Sequence, residues 1–276
     1  MALTPSTKIG FLGAGNMAEA IIRGLLASGA AQSSQIIVMD IRDERTQLLA
    51  DELGVGVVPD GRALAADVDV LVFAVKPQGL DDVVAALKEV ARPGLLAVSI
   101  LVGTKAEKLE RGLAHDACPA PRVVRAMPNT PALIRMGATG ICPGAHATDD
   151  DLETAKTIFD AVGHTEIVEP DMMDVVTGLA GSGPAYIFRM IEALTEAGVK
   201  QGLTPETAER LVKQVVAGAG RMALESEHPP AELRRRVTSP GGTTAAGLQV
   251  LDQRAFLRTI SETVDAAVKR SVELGK

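Results

Sequence analysis

A glycine-rich turn near the amino terminus constrains the fold more than any other feature of this sequence. An apolar run ends in Gly10-Phe-Leu-Gly13-Ala-Gly15-Asn-Met-Ala18, and a helical pattern begins at once. Gly13 permits a tight turn, Gly15 lets the backbone approach a pyrophosphate, and Ala18 lets the helix pack closely on the strand. The helix N-terminus supplies N–H groups and positive potential. The turn therefore predicts a βα unit that binds a dinucleotide.

Apolar runs and helical patterns alternate through the first part of the chain. The predicted strands are 8–12, 36–39, 55–58, 68–75, 95–101, 122–127, 139–142 and 166–168, and helical patterns at 17–27, 42–53 and 80–90 separate the early ones. Most of these runs are continuous and rich in β-branched residues, which is typical of strands covered by helices on both faces. The alternation predicts an α/β Rossmann-type doubly wound sheet over residues 1–168.

The pattern changes after Glu169, where three long helical stretches follow without a convincing strand. They begin near Pro184, Thr204 and Asp252, and their apolar stripes are wide. Three helices make a thin core, so we expect an all-α dimerisation domain over residues 169–276 that packs against a second subunit.

The second predicted strand ends in Asp40, about 20 residues beyond Ala18, where an acidic residue commonly faces the adenosine ribose. Such a carboxylate favours NADH, because the 2′-phosphate of NADPH would bring negative charge to the same place. Arg42 offsets this if it pairs with that phosphate. The cofactor is thus NADPH or NADH, and we expect NADH to be used at least as well.

Composition excludes several classes of function. A net charge of -7 and 2% aromatic residues argue against nucleic-acid binding, and the apolar runs are too short to span a membrane. No spacing of His, Cys, Asp or Glu indicates a metal site. No secretory leader is readable at the amino terminus, so we expect a cytoplasmic protein.

Five motifs in the same order identify the sequence as similar to a known family. They are Gly10–Met17, Ala74-Val-Lys-Pro77, Val124-Arg-Ala-Met-Pro-Asn-Thr-Pro131, Gly181-Ser-Gly-Pro-Ala-Tyr186 and Val237-Thr-Ser-Pro-Gly-Gly-Thr-Thr244. Together they closely resemble the pyrroline-5-carboxylate reductase family. The resemblance implies NAD(P)H-dependent reduction of 1-pyrroline-5-carboxylate to L-proline, the last step of proline biosynthesis. It also implies a homodimer, which in some members assembles into a decamer of five dimers.

The resemblance assigns roles to individual residues. Cofactor contacts are implied for Gly13, Ala14, Gly15, Asn16, Met17, Ala74, Val75, Lys76 and Pro77, with Asn129 near the nicotinamide end. Substrate contacts are implied for Glu227, Ser239, Gly242, Thr243 and Thr244. Glu227 would contact the ring nitrogen from the helix before the loop. The sequence departs from the family pattern at Leu101-Val102, whose bulk would change the floor of the cofactor site.

Hydride transfer to a C=N bond needs orientation more than strong acid–base catalysis. Thr244 is the candidate catalytic hydrogen-bond donor to the imine nitrogen, and it could instead position a proton from water. Two alternatives remain at this point. A β-hydroxyacid dehydrogenase has a similar domain plan, but residues 184–194 lack the lysine such enzymes use there. A non-catalytic dinucleotide-binding redox sensor would not need the polar loop at 238–244.

Overall fold

The computed structural model describes residues 3–76 and 78–275 and contains an eight-stranded sheet with helices on both sides. The strands are β1 (Ile9–Leu12), β2 (Ile36–Met39), β3 (Gly56–Val57), β4 (Val70–Phe73), β5 (Leu96–Ser99), β6 (Arg122–Met127), β7 (Gly137–Pro143) and β8 (Gly163–Ile167). The helices of this part are α1 (Asn16–Ser28), α2 (Asp43–Leu53), α3 (Gly61–Asp67), α4 (Leu80–Leu87), α5 (Ala106–Leu113), α6 (Asp149–Asp160) and α7 (Met173–Val176). The predicted Rossmann-type α/β class is confirmed.

The strand order is β3-β2-β1-β4-β5-β6-β7-β8. The strands from β1 to β6 are parallel. β2 and β3 lie on one side of β1, and β4 to β6 lie on its other side, so the strand order reverses between β1 and β4. Ligands of such sheets bind at that point, outside the carboxyl ends of the strands. β7 runs antiparallel to β6, because the connection between them is too short for a crossover helix.

Two apolar layers cover the faces of the sheet. One buries Phe11 and Val72 against α1 and α6, and the other buries Leu12 and Phe73 against α3, α4 and α5. Neighbouring residues of each central strand point to opposite layers, so these strands carry continuous apolar runs.

The chain forms two compact units whose limits differ from the expected boundary at 168/169. The first comprises residues up to 182 together with those from 267 onward, and the second comprises 183–266. Met173 explains the shift, since this residue of α7 is fully buried beside Met127 and Cys142. The returning chain end is held by Ser271 Oγ, which donates to Asp174 Oδ1 at 2.6 Å.

The second unit is all helical, as predicted, but its helices are divided differently. They are α8 (Gly183–Lys200), α9 (Pro205–Glu225), α10 (Pro230–Arg236), α11 (Thr243–Gln253) and α12 (Phe256–Leu274), of which α12 runs on into the first unit. The short helices α10 and α11 were not predicted. Before α8, a π-helical turn (Thr177–Gly181) leads almost directly into the helix, so the Gly-Ser-Gly-Pro motif at 181–184 lies in helical backbone.

None of the helices in the described ranges combines the length and the apolar character that a membrane span requires.

Candidate active site

The glycine-rich turn lies at the carboxyl ends of β1 and β4, where the predicted cofactor residues meet. Gly13 has φ +106°, and a Cβ at this position would lie 2.6 Å from the carbonyl oxygen of Ala74. A side chain is therefore excluded both by the backbone conformation and by contact with the neighbouring strand end. The Gly13 N–H donates to Met39 O at 2.7 Å, which ties the turn to β2 as well.

The space beside Gly15 is open. Gly15 is the N-cap of α1, so no side chain caps this helix. A Cβ at Gly15 would meet no atom within 4 Å. The N–H groups of the first helical residues, including Asn16 and Met17, have no carbonyl of the same helix to bond. An unobstructed helix N-terminus of this kind fits the pyrophosphate of a dinucleotide.

Asp40 lies at the end of β2, as expected, but its carboxylate already has partners. Oδ2 accepts the Ala14 N–H at 2.7 Å, and Oδ1 accepts the N–H and Nε of Arg42 at 3.0 and 3.1 Å. Burial opposes ionisation of Asp40, but hydrogen bonds from Arg42 and Ala14 outweigh it, so the pKa lies below its ordinary value. Asp40 therefore holds the turn in addition to any contact with a ribose.

Arg45 makes a second set of contacts with the same turn, which was not predicted from the sequence. Arg45 Nε donates to Ala14 O at 3.0 Å, and its Nη2 pairs with Glu19 Oε2 at 2.6 Å. Glu19 lies in the first turn of α1 and also accepts from Arg23 Nε at 2.9 Å. No motif marks Arg45, because its contacts join segments distant in sequence.

The other predicted cofactor residues lie along the same edge of the sheet. Ala74 and Val75 follow β4 and are half-buried, and the Lys76 side chain is exposed. Pro77 lies outside the described residues. Leu101 turns its bulk into the core and is buried, so only Val102 is exposed at the departure noted in the sequence.

Asn129 follows β6 at this edge, but its amide is committed to the protein. Nδ2 donates to Ala180 O and Oδ1 accepts the Ala138 N–H, each at 2.9 Å. The side chain is buried, so Asn129 joins the start of β7 to the π-helical turn. Both polar atoms of the Asn129 amide therefore bond within the first unit.

The polar loop of the second unit forms a turn followed by a helix N-terminus. The Gly242 N–H donates to Ser239 O at 3.0 Å, with Pro240 and Gly241 between them and Gly241 at φ +67°. Proline followed by a glycine of positive φ is the signature of a type II turn. Gly242 then caps α11 without a side-chain hydrogen bond, which leaves Thr243 and Thr244 as exposed first residues of the helix.

Glu227 differs from expectation, and the Thr238 hydroxyl is used within the fold. Glu227 lies exposed in the bend between α9 and α10 and not on a helix. The Thr238 hydroxyl donates to Arg234 O at 2.6 Å, so it completes the end of α10. Ser239, Thr243 and Thr244 remain the hydroxyl-bearing side chains that the loop presents to solvent.

No group of three or more His, Cys, Asp or Glu residues in the described ranges could hold a metal ion.

Two family models match the chain, each over a different part of it. Residues 8–103 match a family model described as NADP oxidoreductase coenzyme F420-dependent. Residues 170–274 match one described as pyrroline-5-carboxylate reductase dimerisation.

Full-length relatives and solved structures extend this similarity over nearly the whole chain. A pyrroline-5-carboxylate reductase from Synechocystis is 43% identical over 98% of this chain and 99% of its own. A solved reductase from Coxiella burnetii is 40% identical with a TM-score of 0.93, covering 98% of this chain and 99% of its own. A Plasmodium falciparum reductase, solved with NADP bound, is 29% identical with a TM-score of 0.84, covering 99% and 100% respectively.

Proposed function

The chain belongs to the pyrroline-5-carboxylate reductase family, and from this premise we propose how its residues carry out the reaction. The enzyme is an NAD(P)H-dependent oxidoreductase that reduces 1-pyrroline-5-carboxylate to L-proline. The observation that carries the proposal is the presence, in one chain, of an open dinucleotide turn at Gly15 and a polar helix N-terminus at Thr243.

The first unit binds the cofactor through its glycine-rich turn. The backbone N–H groups from Gly15 to Met17 face the pyrophosphate, Gly13 and Ala14 shape the turn that presents them, and Asp40 with Arg42 lies toward the adenosine end. Ala74, Val75 and Lys76 line the dinucleotide beside β4. When bound, the reduced nicotinamide supplies a hydride.

The loop of the second unit binds the substrate, which carries one carboxylate and one ring nitrogen. N–H groups at the start of α11 and the Ser239 hydroxyl suit a carboxylate, because a helix N-terminus stabilises negative charge. The Gly242 N–H is already bonded to Ser239 O, so Gly242 contributes by bringing the Ser239 side chain close to the start of α11, where its hydroxyl can contact the same anion.

Protonation of the ring nitrogen makes the adjacent carbon a strong hydride acceptor. The Thr244 hydroxyl, in the first turn of α11, donates a hydrogen bond to that nitrogen or holds the water that protonates it. Glu227 is a further proposed contact to the nitrogen, where a carboxylate would stabilise the positive charge.

The assay measures oxidation of NADPH and of NADH by the purified protein with 1-pyrroline-5-carboxylate, beside a panel of β-hydroxy acids with the oxidised cofactors. We expect turnover only with 1-pyrroline-5-carboxylate and not with the hydroxy acids, and we expect L-proline as the product. Oxidation of hydroxy acids would instead indicate a β-hydroxyacid dehydrogenase. Cofactor binding without any turnover would indicate a redox sensor.

We also propose a cytoplasmic homodimer that has no role in binding nucleic acids. Support for the dimer comes from α8, α9, α11 and α12, which expose large apolar side chains such as Phe188, Val215 and Leu257. Sedimentation at assay concentration measures the mass, and it also tests whether five dimers associate into a decamer.

A further inference from the structure

The Ala14 residue of the glycine-rich turn is held from both sides by side chains of the segment after β2. Its N–H donates to Asp40 Oδ2 at 2.7 Å, and its carbonyl oxygen accepts from Arg45 Nε at 3.0 Å. These atoms belong to the two successive peptide groups that flank Ala14. Both peptide planes of the turn are therefore fixed by residues that follow it by 26 and 31 positions.

The contact from Arg45 has a directional consequence. In a trans peptide the C=O and N–H groups point in opposite directions. Because Arg45 holds the Ala14 carbonyl oxygen, it directs the Gly15 N–H to the other side of the turn. The Ala14 N–H already donates to Asp40. The Gly15 N–H is therefore the first N–H group of the turn that can donate a hydrogen bond to a phosphate oxygen.

The same guanidinium also balances a negative charge beside the phosphate position. Glu19 lies in the first turn of α1, and a free carboxylate there would repel an anion at that helix terminus. Hydrogen bonding from Arg45, with a further contribution from Arg23, lowers the pKa of Glu19, so the carboxylate is ionised and paired. The Arg45 and Glu19 side chains are each 21% exposed, which shields this pair from solvent more than the other ion pairs of α1.

We propose that Arg45 is a positioning residue for the dinucleotide: its fork between Ala14 O and Glu19 sets the turn in the conformation that binds the pyrophosphate. This inference rests on the proposed function for the identity of the ligand. Arg45 contacts the turn through its backbone, so its effect extends to any ligand that carries the same pyrophosphate.

The first test is Arg45→Met, with calorimetric titration of NADPH and of NADH in the absence of substrate. We expect Kd to rise roughly tenfold for both cofactors, the usual size of a lost charge-assisted hydrogen bond. The ratio of the variant's Kd to that of the unmodified protein should be the same for NADPH and NADH, because both cofactors carry the pyrophosphate. A loss confined to NADPH would overturn the proposal, since it would mean that Arg45 binds the 2′-phosphate.

Arg23→Met is the matched control. It removes the same charge and also contacts Glu19, but its other partner is Glu52 and not the turn. We expect its cofactor affinity to stay within about twofold of the unmodified protein, with a similar melting temperature for both variants. Equal weakening by Arg23→Met would show that charge alone matters and would overturn the proposal.

Arg45→Lys keeps the charge but cannot reproduce the fork, and it also serves if Arg45→Met does not fold. We expect a severalfold rise in both Kd values and faster amide hydrogen exchange across residues 9–20 of the cofactor-free protein. Unchanged affinity and exchange in this variant would overturn the proposal. Failure of the function itself would look different, because the unmodified protein would then bind cofactor without oxidising it in the presence of pyrroline-5-carboxylate.

Discussion

At the residue scale, Asp40 and Arg42 form a pair at the end of β2 that bears on the choice of cofactor. The pair places one negative and one positive group at the end of β2, the position from which a residue of this fold commonly contacts the adenosine ribose. The Asp40 side chain is 9% exposed and that of Arg42 is 54% exposed. Arg42 is therefore the member that is free to move toward a phosphate, while Asp40 stays with the turn.

Asp40→Asn separates the charge of this carboxylate from its role as an acceptor, since the amide oxygen can still accept the Ala14 N–H. Two like unit charges about 4 Å apart repel by about 4 kcal/mol at an effective dielectric near 20, before screening. We expect kcat/KM for NADPH relative to NADH to rise roughly tenfold once screening and Arg42 are included.

The control is Asp43→Asn, which removes the same charge at the exposed start of α2. We expect its cofactor ratio to match that of the unmodified protein. If Asp40→Asn also left the ratio unchanged, the carboxylate would not face the 2′ position, and its role would be confined to the turn.

Thr244 is the second residue whose role a single substitution can isolate. Thr244→Val keeps the shape and removes the hydroxyl, and a hydrogen bond to a charged group contributes about 1.5–3 kcal/mol. We expect kcat/KM for the imine to fall roughly 10- to 150-fold, with little change in the Kd of NADPH.

Thr157→Val provides the control, because the Thr157 hydroxyl only donates to Glu153 O within α6. Unchanged turnover is expected there. Full activity in Thr244→Val would remove this hydroxyl from the mechanism.

At the element scale, Asn129 joins two parts of the first unit that are distant in sequence. Its amide bridges the start of β7 and the π-helical turn, and Gly181 of that turn lies against Met127 at the end of β6. π-Helical turns are rare and occur often at functional sites. Here the turn is the last element of the first unit before α8 begins.

Asn129→Ala should destabilise this element, because the Ala138 N–H and the Ala180 carbonyl both lose their partner. Each unpaired buried group costs about 1–3 kcal/mol, so we expect the melting temperature to fall by roughly 5–10 °C. Gln47→Ala removes an exposed amide that pairs with Asp51 and should leave the melting temperature nearly unchanged. Equal melting temperatures for the two variants would show that Asn129 does not hold the π-helical turn.

At the scale of the whole molecule, the second unit lacks a core of its own. Of residues 183–266, all of which the structure describes, only Ala208 is buried. The apolar stripe of α9 includes Leu211, Val215 and Met222, which are 54%, 63% and 57% exposed. An isolated domain with so little burial would not be stable, which is the physical reason to expect a second subunit over these helices.

Val215→Glu tests that expectation by placing a charge within the stripe. Burying an unpaired carboxylate at a subunit interface is costly, so we expect the mass in light scattering to fall from the oligomer to the monomer, with loss of activity. Ala217→Glu adds the same charge on the opposite side of α9 and should keep the oligomer. A Val215→Glu protein that stayed oligomeric would exclude this face from the interface.

The sequence by itself determined the features that depend on local patterns. Continuous apolar runs specified the buried parallel strands, wide apolar stripes specified the long helices α8, α9 and α12, and the spacing of Gly13, Gly15 and Ala18 specified the turn between β1 and α1. Each of these signals lies within a few residues, because periodicity and the requirement for glycine at positive φ are properties of short segments. The five motifs, in their order along the chain, indicated the family and therefore its reaction.

Only the tertiary structure decided which groups meet across long separations. The contacts of Asp40 and Arg45 with Ala14 join residues 26 and 31 positions apart, and Asn129 reaches Ala180 across 51. The boundary at residue 182 likewise depends on where Met173 is buried, and not on the change in composition near Glu169. These hydrogen-bond partners meet because whole helices and strands pack together. No local sequence pattern around a donor predicts which distant acceptor it will contact.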